Sequence, residues 1–522
     1  LQQDQLFYYY NLVHHLITRG KFDIVFIQKN HTEIWLQRQD KQTNHVLRIT
    51  QTGFDWRNQL EADNKRAVYE SERLSQLFLG RKINLFNIHV SEYEPVDEWN
   101  HLTQSVKLKH NKFEQMELFY LDEENRYVQQ NNLFERLDVE QMYLPQPEDV
   151  LEKEQLTQHL RAKIITTYNK QQRDAQKVFE QAKPYFTYII LALNVLLFLW
   201  LELQGGSTDT EVLIEYGAKY NPAIIDGQWW RIISSMFLHI GILHVLMNML
   251  ALHIVGNVVE RIFGNIRFLI IYFISGIVGG VTSFALSPQV AAGASGAIFG
   301  LFGALLFFGL KHKRIFFQTM GRNVIAIIGF NIVFGLAVPQ IDNGAHIGGL
   351  IGGFLAAAIV YFPKKKQLSV QLGASIAVIA LTSFITLYGL FNESVQQEAN
   401  QFEISRQLQQ ISELADQEEF QLTIDKVNTT LQQEANYYRP ELLFYRSYAY
   451  LHIGETTKAL SDLEELVEIE PNQIPEAHYN LALIYIDRNE TDKAKQALEK
   501  ALELSPDNEA FTSLYQETFD SP

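Results

Sequence analysis

Ser295 lies in Gly293-Ala294-Ser295-Gly296-Ala297-Ile298-Phe299-Gly300, where an apolar run begins, and nothing charged lies between Arg267 and Lys311. A hydroxyl in such a run has two uses. It can glue helices together, as the small-xxx-small spacing of Gly296 and Gly300 suggests by itself. It can also be a nucleophile, provided a base reaches it. Three further polar residues stand in comparable runs. His244 and Asn248 belong to Gly241-Ile242-Leu243-His244-Val245-Leu246-Met247-Asn248, and His346 belongs to Asn343-Gly344-Ala345-His346-Ile347-Gly348-Gly349. Polar groups inside apolar spans are expensive and tend to be functional. The glycines around His346 (Gly344, Gly348, Gly349, Gly352, Gly353) allow close approach to the Gly296, Gly300 and Gly303 face. At a separation of about 2.6–3.2 Å, His346 would serve as the base for Ser295. His244 and Asn248 are four apart and share a helix face. Both can donate hydrogen bonds, and with the backbone N–H of Ser295 they suit an oxyanion developing at an attacked carbonyl. The plain alternative is four polar residues gluing helices. It explains each one singly, but not their shared depth or complementary roles.

That depth follows from the spans. Seven apolar runs follow one another at 185–203, 241–262, 268–286, 295–311, 323–339, 343–362 and 371–391, each near the ~20 residues that cross hydrocarbon. Basic residues collect before the first (Lys170, Arg173, Lys177, Lys183), after the second (Arg261, Arg267), after the fourth (Lys311, Lys313, Arg314, Arg322) and after the sixth (Lys364, Lys365, Lys366). The alternate loops are acidic or neutral on balance, with Lys219 and Arg231 as the exceptions. The positive-inside rule therefore predicts a cytoplasmic N-terminus and an extracytoplasmic C-terminus for a multi-pass plasma-membrane protein. The second, fourth and sixth spans then run inward together. Ser295, His244, Asn248 and His346 fall at one level near the outer face.

The chain of 522 residues is too long for one core, so several domains are expected. A net charge of -16 argues against nucleic acid as a partner. With no cysteine, thiolate nucleophiles, disulfides and Cys-ligated zinc are excluded. The opening Leu1-Gln2-Gln3-Asp4-Gln5 has no basic region before an apolar core, so no signal peptide is expected. Residues 1–147 read as a soluble α+β domain: a helix at Leu6–Leu16, strands at Phe22–Gln28, Glu33–Gln37 and His45–Thr50 with a turn from Asp40 to Asn44, a helix at Trp56–Leu79, and a strand at Ile83–Val90. This order is similar to the core of restriction-endonuclease-like folds, without their acidic and Glu-x-Lys signature, so a non-nucleolytic role is expected. The domain is expected to bind a ligand, with a divalent cation on its acids and His14, His15, His31, His45, His89 or His101 as one option. The competing expectation is that these are surface histidines. Residues 148–183 read as a helical linker. In 392–522, aligning Pro471 with Pro506 superposes Tyr450 on Tyr485, Gly454 on Asn489, Ala459 on Ala494 and Leu463 on Leu498. This offset is one longer than the common tetratricopeptide period of about 34. Residues 400–438 are expected to hold a degenerate earlier unit. Such solenoids dock peptides or proteins.

Gly293-x-Ser295-Gly296, His244-x-x-x-Asn248 and Ala345-His346-x-Gly348-Gly349 together resemble the rhomboid intramembrane serine proteases. Trp230-Arg231 is similar to that family's first-loop signature. Glu260 and Gly264 stand where it places a cap on the second span. Phe299 stands where it often has a tyrosine packed on the catalytic histidine, keeping the ring and losing the hydroxyl. The resemblance covers 184–391, a six-helix core plus a seventh span. With the flanking domains it looks like a Gram-positive bacterial subgroup with a cytoplasmic N-terminal domain and C-terminal tetratricopeptide repeats. It implies a metal-free Ser295–His346 dyad, no cofactor, and transmembrane protein substrates cut near their outer ends. Access past the fifth span and a water-filled cavity beneath loops 287–293 and 337–343 are also implied. No His-Glu-x-x-His zinc site and no pair of intramembrane aspartates offers another proteolytic chemistry. The competing function is a membrane adaptor that presents clients through its soluble domains.

Overall fold

The structure is a computed structural model. It describes residues 2–40, 43–80, 82–108, 112–338, 341–433 and 436–519; the middle of the expected 40–44 turn and positions 339–340 of the 337–343 loop lie outside the described residues. The N-terminal domain comprises α1 (Gln2–Thr18), β1 (Asp23–Ile27), β2 (Glu33–Gln39), β3 (Asn44–Thr50), α2 (Arg57–Arg73), β4 (Ile83–Val90), β5 (Val106–Lys107), β6 (Phe113–Leu121) and α3 (Arg126–Leu137). The sheet order is β1-β2-β3-β4-β6-β5, with β1, β2 and β3 antiparallel and β3, β4 and β6 parallel. Alternation along β3 divides the faces. Leu47 and Ile49 meet Leu12, Val13 and Leu16 of α1, while Val46 joins Trp35, Ala67 and Leu85 on the α2 side.

The expected helix at 56–79 stops at Arg73. Beyond it the chain must turn Phe78 beneath the sheet, where it meets Trp35 and Phe113. Gln37 clasps both backbone groups of Leu79, at 2.7 and 3.0 Å, and fixes that turn. The linker is helical as α4 (Val150–Lys177) but does not stand free. Ile164 is buried in the N-terminal core, and Lys153 pairs with Asp4 at 2.5 Å.

Seven apolar helical segments follow. They are α5 (Phe186–Leu203), the second span formed by α9 (Ile242–Ala251) and α10 (Asn257–Phe263), α11 (Asn265–Leu286), α12 (Ser295–Lys311), α14 (Gly321–Ala337), α15 (Asn343–Val360) and α16 (Leu368–Phe391). Three short helices, α6 (Thr210–Glu215), α7 (Asn221–Ile225) and α8 (Arg231–Ser234), shape the loop before α9. Among the described residues five segments are long and apolar enough to cross a membrane; α14 qualifies only together with α13 (Lys313–Thr319), from which it bends by 73°. α12, with 17 residues, is shorter. It is also the most enclosed, with Gly296 to Leu305 buried throughout. α14 by contrast leaves Ile325, Phe330, Val333 and Leu336 uncovered.

The soluble parts touch different loops. Arg314 of α13 bonds Ile24 O at 2.7 Å and faces Asp23 at 3.4 Å, and Gln318 bonds Leu77 O at 2.6 Å. At the other end of the chain, α16 passes through Asn392 into α17 (Glu393–Asp416), which is followed by α18 (Phe420–Leu431), α19 (Arg439–His452), α20 (Thr456–Ile469), α21 (Pro475–Asp487), α22 (Thr491–Leu504) and α23 (Glu509–Phe519). The turns of three successive helix pairs carry Glu418, Gly454 and Asn489, each at positive φ. The pair α17–α18 thus has the same turn geometry as the two pairs legible from their repeat.

A buried ion cluster joins the N-terminal sheet to α2. Arg48, 2% exposed, bonds Glu33 at 2.7 Å, Asp63 at 2.5 Å and Asn87 at 2.9 Å. Burial would raise the Asp63 carboxyl, but hydrogen bonds from His89 and Arg48 and their charges outweigh it and hold the group well below its ordinary 3.8. A carboxylate depressed in this way stabilises the fold above its unfolded value. That contribution is lost as pH falls below about 4. Asp63→Asn is expected to cost the domain stability at pH 7, toward the lower end of about 3–5 kcal/mol because Glu33 still pairs with Arg48. It is also expected to flatten the acid slope. Hydrogen exchange of the full chain at pH 7 and pH 3 checks both outcomes.

Candidate active site

α12, α15 and α11 pack backbone to backbone. A Cβ at Gly349 would overlap Gly296 O, and one at Gly353 would overlap Gly300 O. No residue larger than glycine fits either place without moving the helices apart. Gly348 lies against the Thr282 side chain of α11. This contact brings Ser295, the first residue of α12, to His346, in the first turn of α15. Their Oγ and Nε2 lie 2.9 Å apart. Ser295 is partly exposed, while His346 is 8% exposed. The His346 ring stacks on Phe299 at 4.1 Å and 10°, so ring contact persists without a tyrosine hydroxyl. Nδ1 of His346 has no hydrogen-bond partner among the described residues. Asp342, four residues earlier, is engaged elsewhere. It caps α15 by accepting from Ala345 N at 2.9 Å and takes the Ser283 hydroxyl.

His244 reaches the segment just before Ser295, and Asn248 follows it on the same helix. The His244 ring packs against Gly293, where an added Cβ would lie 2.8 Å from Cε1, and Gly293 has φ 149°. Asn248, one turn on, donates one amide N–H to His244 O at 3.0 Å and keeps a second to offer. His239 is a further member that the sequence reading above does not include. It is fully buried, its ring lies 5.4 Å from that of His244, and its Nε2 accepts from Ala294 N at 3.4 Å. Its five-residue spacing from His244 was the available signal.

Trp230 and Arg231 organise the loop before α9. Arg231 donates to Ile214 O at 2.6 Å and Ala218 O at 3.2 Å, while the Trp230 ring covers Gly217. Glu260 sits at the far end of the second span, and the N–H groups it caps belong to the first. It accepts from Tyr185, Phe186 and Thr187 N at 2.8–3.0 Å and from Thr187 Oγ1 at 2.7 Å. The histidines of the N-terminal domain are dispersed. His15 meets Glu140 O, His45 meets Thr43 and Asp40, and His89 lies among Asn87, Thr52 and Asp63. Among the described residues no three His, Asp or Glu side chains group as a metal site, so the divalent-cation expectation finds no support.

A serine hydrogen-bonded to a buried histidine thus lies inside a bundle of apolar helices, several of them long enough to cross a membrane. The rhomboid domain family matches residues 226–363, and the tetratricopeptide repeat matches residues 475–508. Over 485 residues the chain is 35% identical to "Rhomboid protease GluP" of Bacillus subtilis (strain 168), covering 91% of each. It is 33% identical over 193 residues to "Putative rhomboid protease YdcA" of the same organism, 37% of this chain and 96% of that one. It is 40% identical over 156 residues to "RHOMBOID-like protein 2" of Arabidopsis thaliana, 29% of this chain and 48% of that one. The chain belongs to the rhomboid family of intramembrane serine proteases and carries C-terminal tetratricopeptide repeats.

Gly349→Ala is expected to push α15 off α12 and misplace His346. A displacement near 1 Å costs about 10²-fold in rate, read as cleavage of a single-span membrane reporter. Gly373→Ala on α16, where an added Cβ meets nothing within 4 Å, is expected to leave the rate unchanged.

Proposed function

We propose that the chain is an endopeptidase that hydrolyses transmembrane segments of membrane proteins near the extracytoplasmic face, using Ser295 as nucleophile and His346 as its base. The carrying observation is the 2.9 Å Oγ–Nε2 contact, made by a histidine whose ring is fixed on Phe299. Ser295 Oγ attacks the peptide carbonyl while His346 Nε2 takes its proton. The imidazolium then protonates the leaving amine, and water resolves the acyl-enzyme by the same proton route. The oxyanion is met by the Ser295 N–H at the start of α12, by His244 and by the spare amide N–H of Asn248. A helix of 17 residues rises only about 25 Å, less than the hydrocarbon thickness. That length supports a nucleophile recessed below the outer surface. A substrate helix must unwind to present its backbone there, which favours helix-weak sequences. The exposed side of α14 is the approach we infer for such a helix.

The orientation rests on the charge bias of the loops. It agrees with the N-terminal domain contacting α13 while α17 contacts the loop before α9. We infer a bacterial plasma-membrane protein with its N-terminal domain in the cytoplasm and its repeats outside, where the solenoid docks a protein partner. Domain limits of 1–147, 148–183, 184–391 and 392–522 serve this reading, with 148–183 lying on the first domain.

In proteoliposomes holding a single-span reporter, Ser295→Ala and His346→Ala are each expected to lower cleavage by about 10⁴-fold or more. Asn248→Ala is expected to lower it by about 10²–10³-fold. Reporter turnover by Ser295→Ala equal to wild type would remove the proteolytic reading and leave an adaptor role.

A further inference from the structure

Two consecutive residues of the loop before α9 grip different parts of the molecule. Lys219 is 1% exposed, and its Nζ donates to Ser287 O at 2.7 Å and Gln289 O at 2.8 Å. Its backbone pairs both ways with Ala291, at 2.9 and 3.0 Å. Asn221 Nδ2 adds bonds to Phe284 O at 3.0 Å and Ser287 O at 3.3 Å. Residues 219–221 therefore hold the segment from the end of α11 to the residues just before Ser295. Beyond that hold, Gly293 N bonds Ser235 O at 2.9 Å. Among the described residues no carboxylate forms an ion pair with Lys219, although the charge of Asp342 favours the ammonium. Burial pulls its ammonium down to about 8, which leaves it charged and donating at neutral pH. A buried unpaired charge is costly, and an apolar side chain would fill the place without that cost. What the ammonium adds is a fixed position for two carbonyls of a segment outside any helix.

Tyr220 faces the C-terminal domain. Its hydroxyl donates to Glu403 at 2.5 Å, and Arg406 Nη2 donates to that hydroxyl at 3.2 Å. The Arg406 guanidinium lies 5.4 Å over the Tyr220 ring, bonds Glu403 at 2.8 and 3.1 Å, and also reaches Glu211 of α6. Glu403 and Arg406 both belong to α17. One peptide step thus separates a grip on the C-terminal domain from a grip on the segment that presents Ser295.

We propose that Lys219 is a positioning residue for the reaction at Ser295, and that the contact of Tyr220 with Glu403 and Arg406 holds Lys219 in place, so that docking of the C-terminal domain on this loop sets the catalytic rate. The inference rests on the assignment of Ser295 as nucleophile. The backbone N–H that meets the oxyanion belongs to the residue this segment delivers, and small displacements of such donors are expensive. The coupling acts on the chemical step. The hydrogen bonds of the Lys219 ammonium and the Tyr220 hydroxyl go to Ser287, Gln289, Glu403 and Arg406, none of them on α14.

The test uses the full chain in proteoliposomes with a single-span reporter, reading kcat and KM separately. Lys219→Met is expected to lower kcat by about tenfold or more, the worth of a charged donor, with KM unchanged. Lys219→Arg, which keeps a charged donor, is expected to retain most of the rate. Tyr220→Phe, which removes only a hydroxyl, is expected to lower kcat by about two- to tenfold. The double variant Tyr220→Phe/Lys219→Met is expected to be no slower than Lys219→Met alone, the signature of one shared path. If Lys219→Met does not fold, Tyr220→Phe and Arg406→Ala decide: a lowered kcat at unchanged KM supports the coupling, and a wild-type kcat overturns it. Effects of Lys219→Met and Tyr220→Phe that multiply, or a change confined to KM, also overturn it. Ser295→Ala separates the two claims. A dead Ser295→Ala beside fully active Tyr220→Phe and Lys219→Met removes this inference alone, whereas an active Ser295→Ala removes the nucleophile first.

Discussion

The approach of α12 to α15 is the constraint on which the rest depends. At Gly296–Gly349 and Gly300–Gly353 the two backbones touch with no side chain between them. Water gives no driving force between helices in a bilayer, so such packing must come from close van der Waals contact. Here the same contact does a second task. It brings an imidazole on one helix within hydrogen-bond reach of a hydroxyl on the other. The stacking of His346 on Phe299 then removes the ring's rotational freedom. The packing of the two helices and the Ser295–His346 contact share one interface, and neither can be altered there without the other.

Around that interface, buried polar groups are spent on positioning. Glu260 satisfies three orphan N–H groups at the start of α5, a carboxylate at a helix N-terminus where the macrodipole also favours it. Arg231 and Lys219 satisfy carbonyls of irregular segments that have no ladder to join. Asp342 caps α15 one turn before His346. Each of these would be costly unpaired at such depth, and each fixes the backbone it meets. Irregular backbone is tolerated near the membrane only on such terms.

Much of this was legible in the sequence. Ser295, His244, Asn248 and His346 stood out because polar residues are rare in apolar runs, and loop charge placed them at one depth. Gly349 and Gly353 were legible as a packing face. The repeat of Tyr450 at Tyr485 and Gly454 at Asn489 exposed two helix pairs; the earlier pair, turning at Glu418, had drifted too far from that pattern to be more than an expectation. Lys219 was missed because a single lysine in an acidic loop reads as solvated, and only the fold reveals the carbonyls it meets. His239 was passed over because its one signal, the five-residue spacing from His244, is weak and its partner is a backbone N–H. β6 and α3 went unread because Glu114, Gln115 and Glu117 interrupt the apolar alternation of β6. The helix at 57–73 ended early for a tertiary reason, the burial of Phe78, which local propensity does not contain.

The central claim is that Ser295 is a nucleophile made reactive by His346. The most direct measurement is covalent labelling of the detergent-solubilised full chain by a fluorophosphonate, with the modified peptide located by mass spectrometry in wild type and in His346→Ala. The account predicts label on Ser295 in the wild type and its loss in His346→Ala. A preparation that cleaves a membrane reporter yet carries no label on Ser295, or that labels Ser295 equally fast without His346, would contradict it.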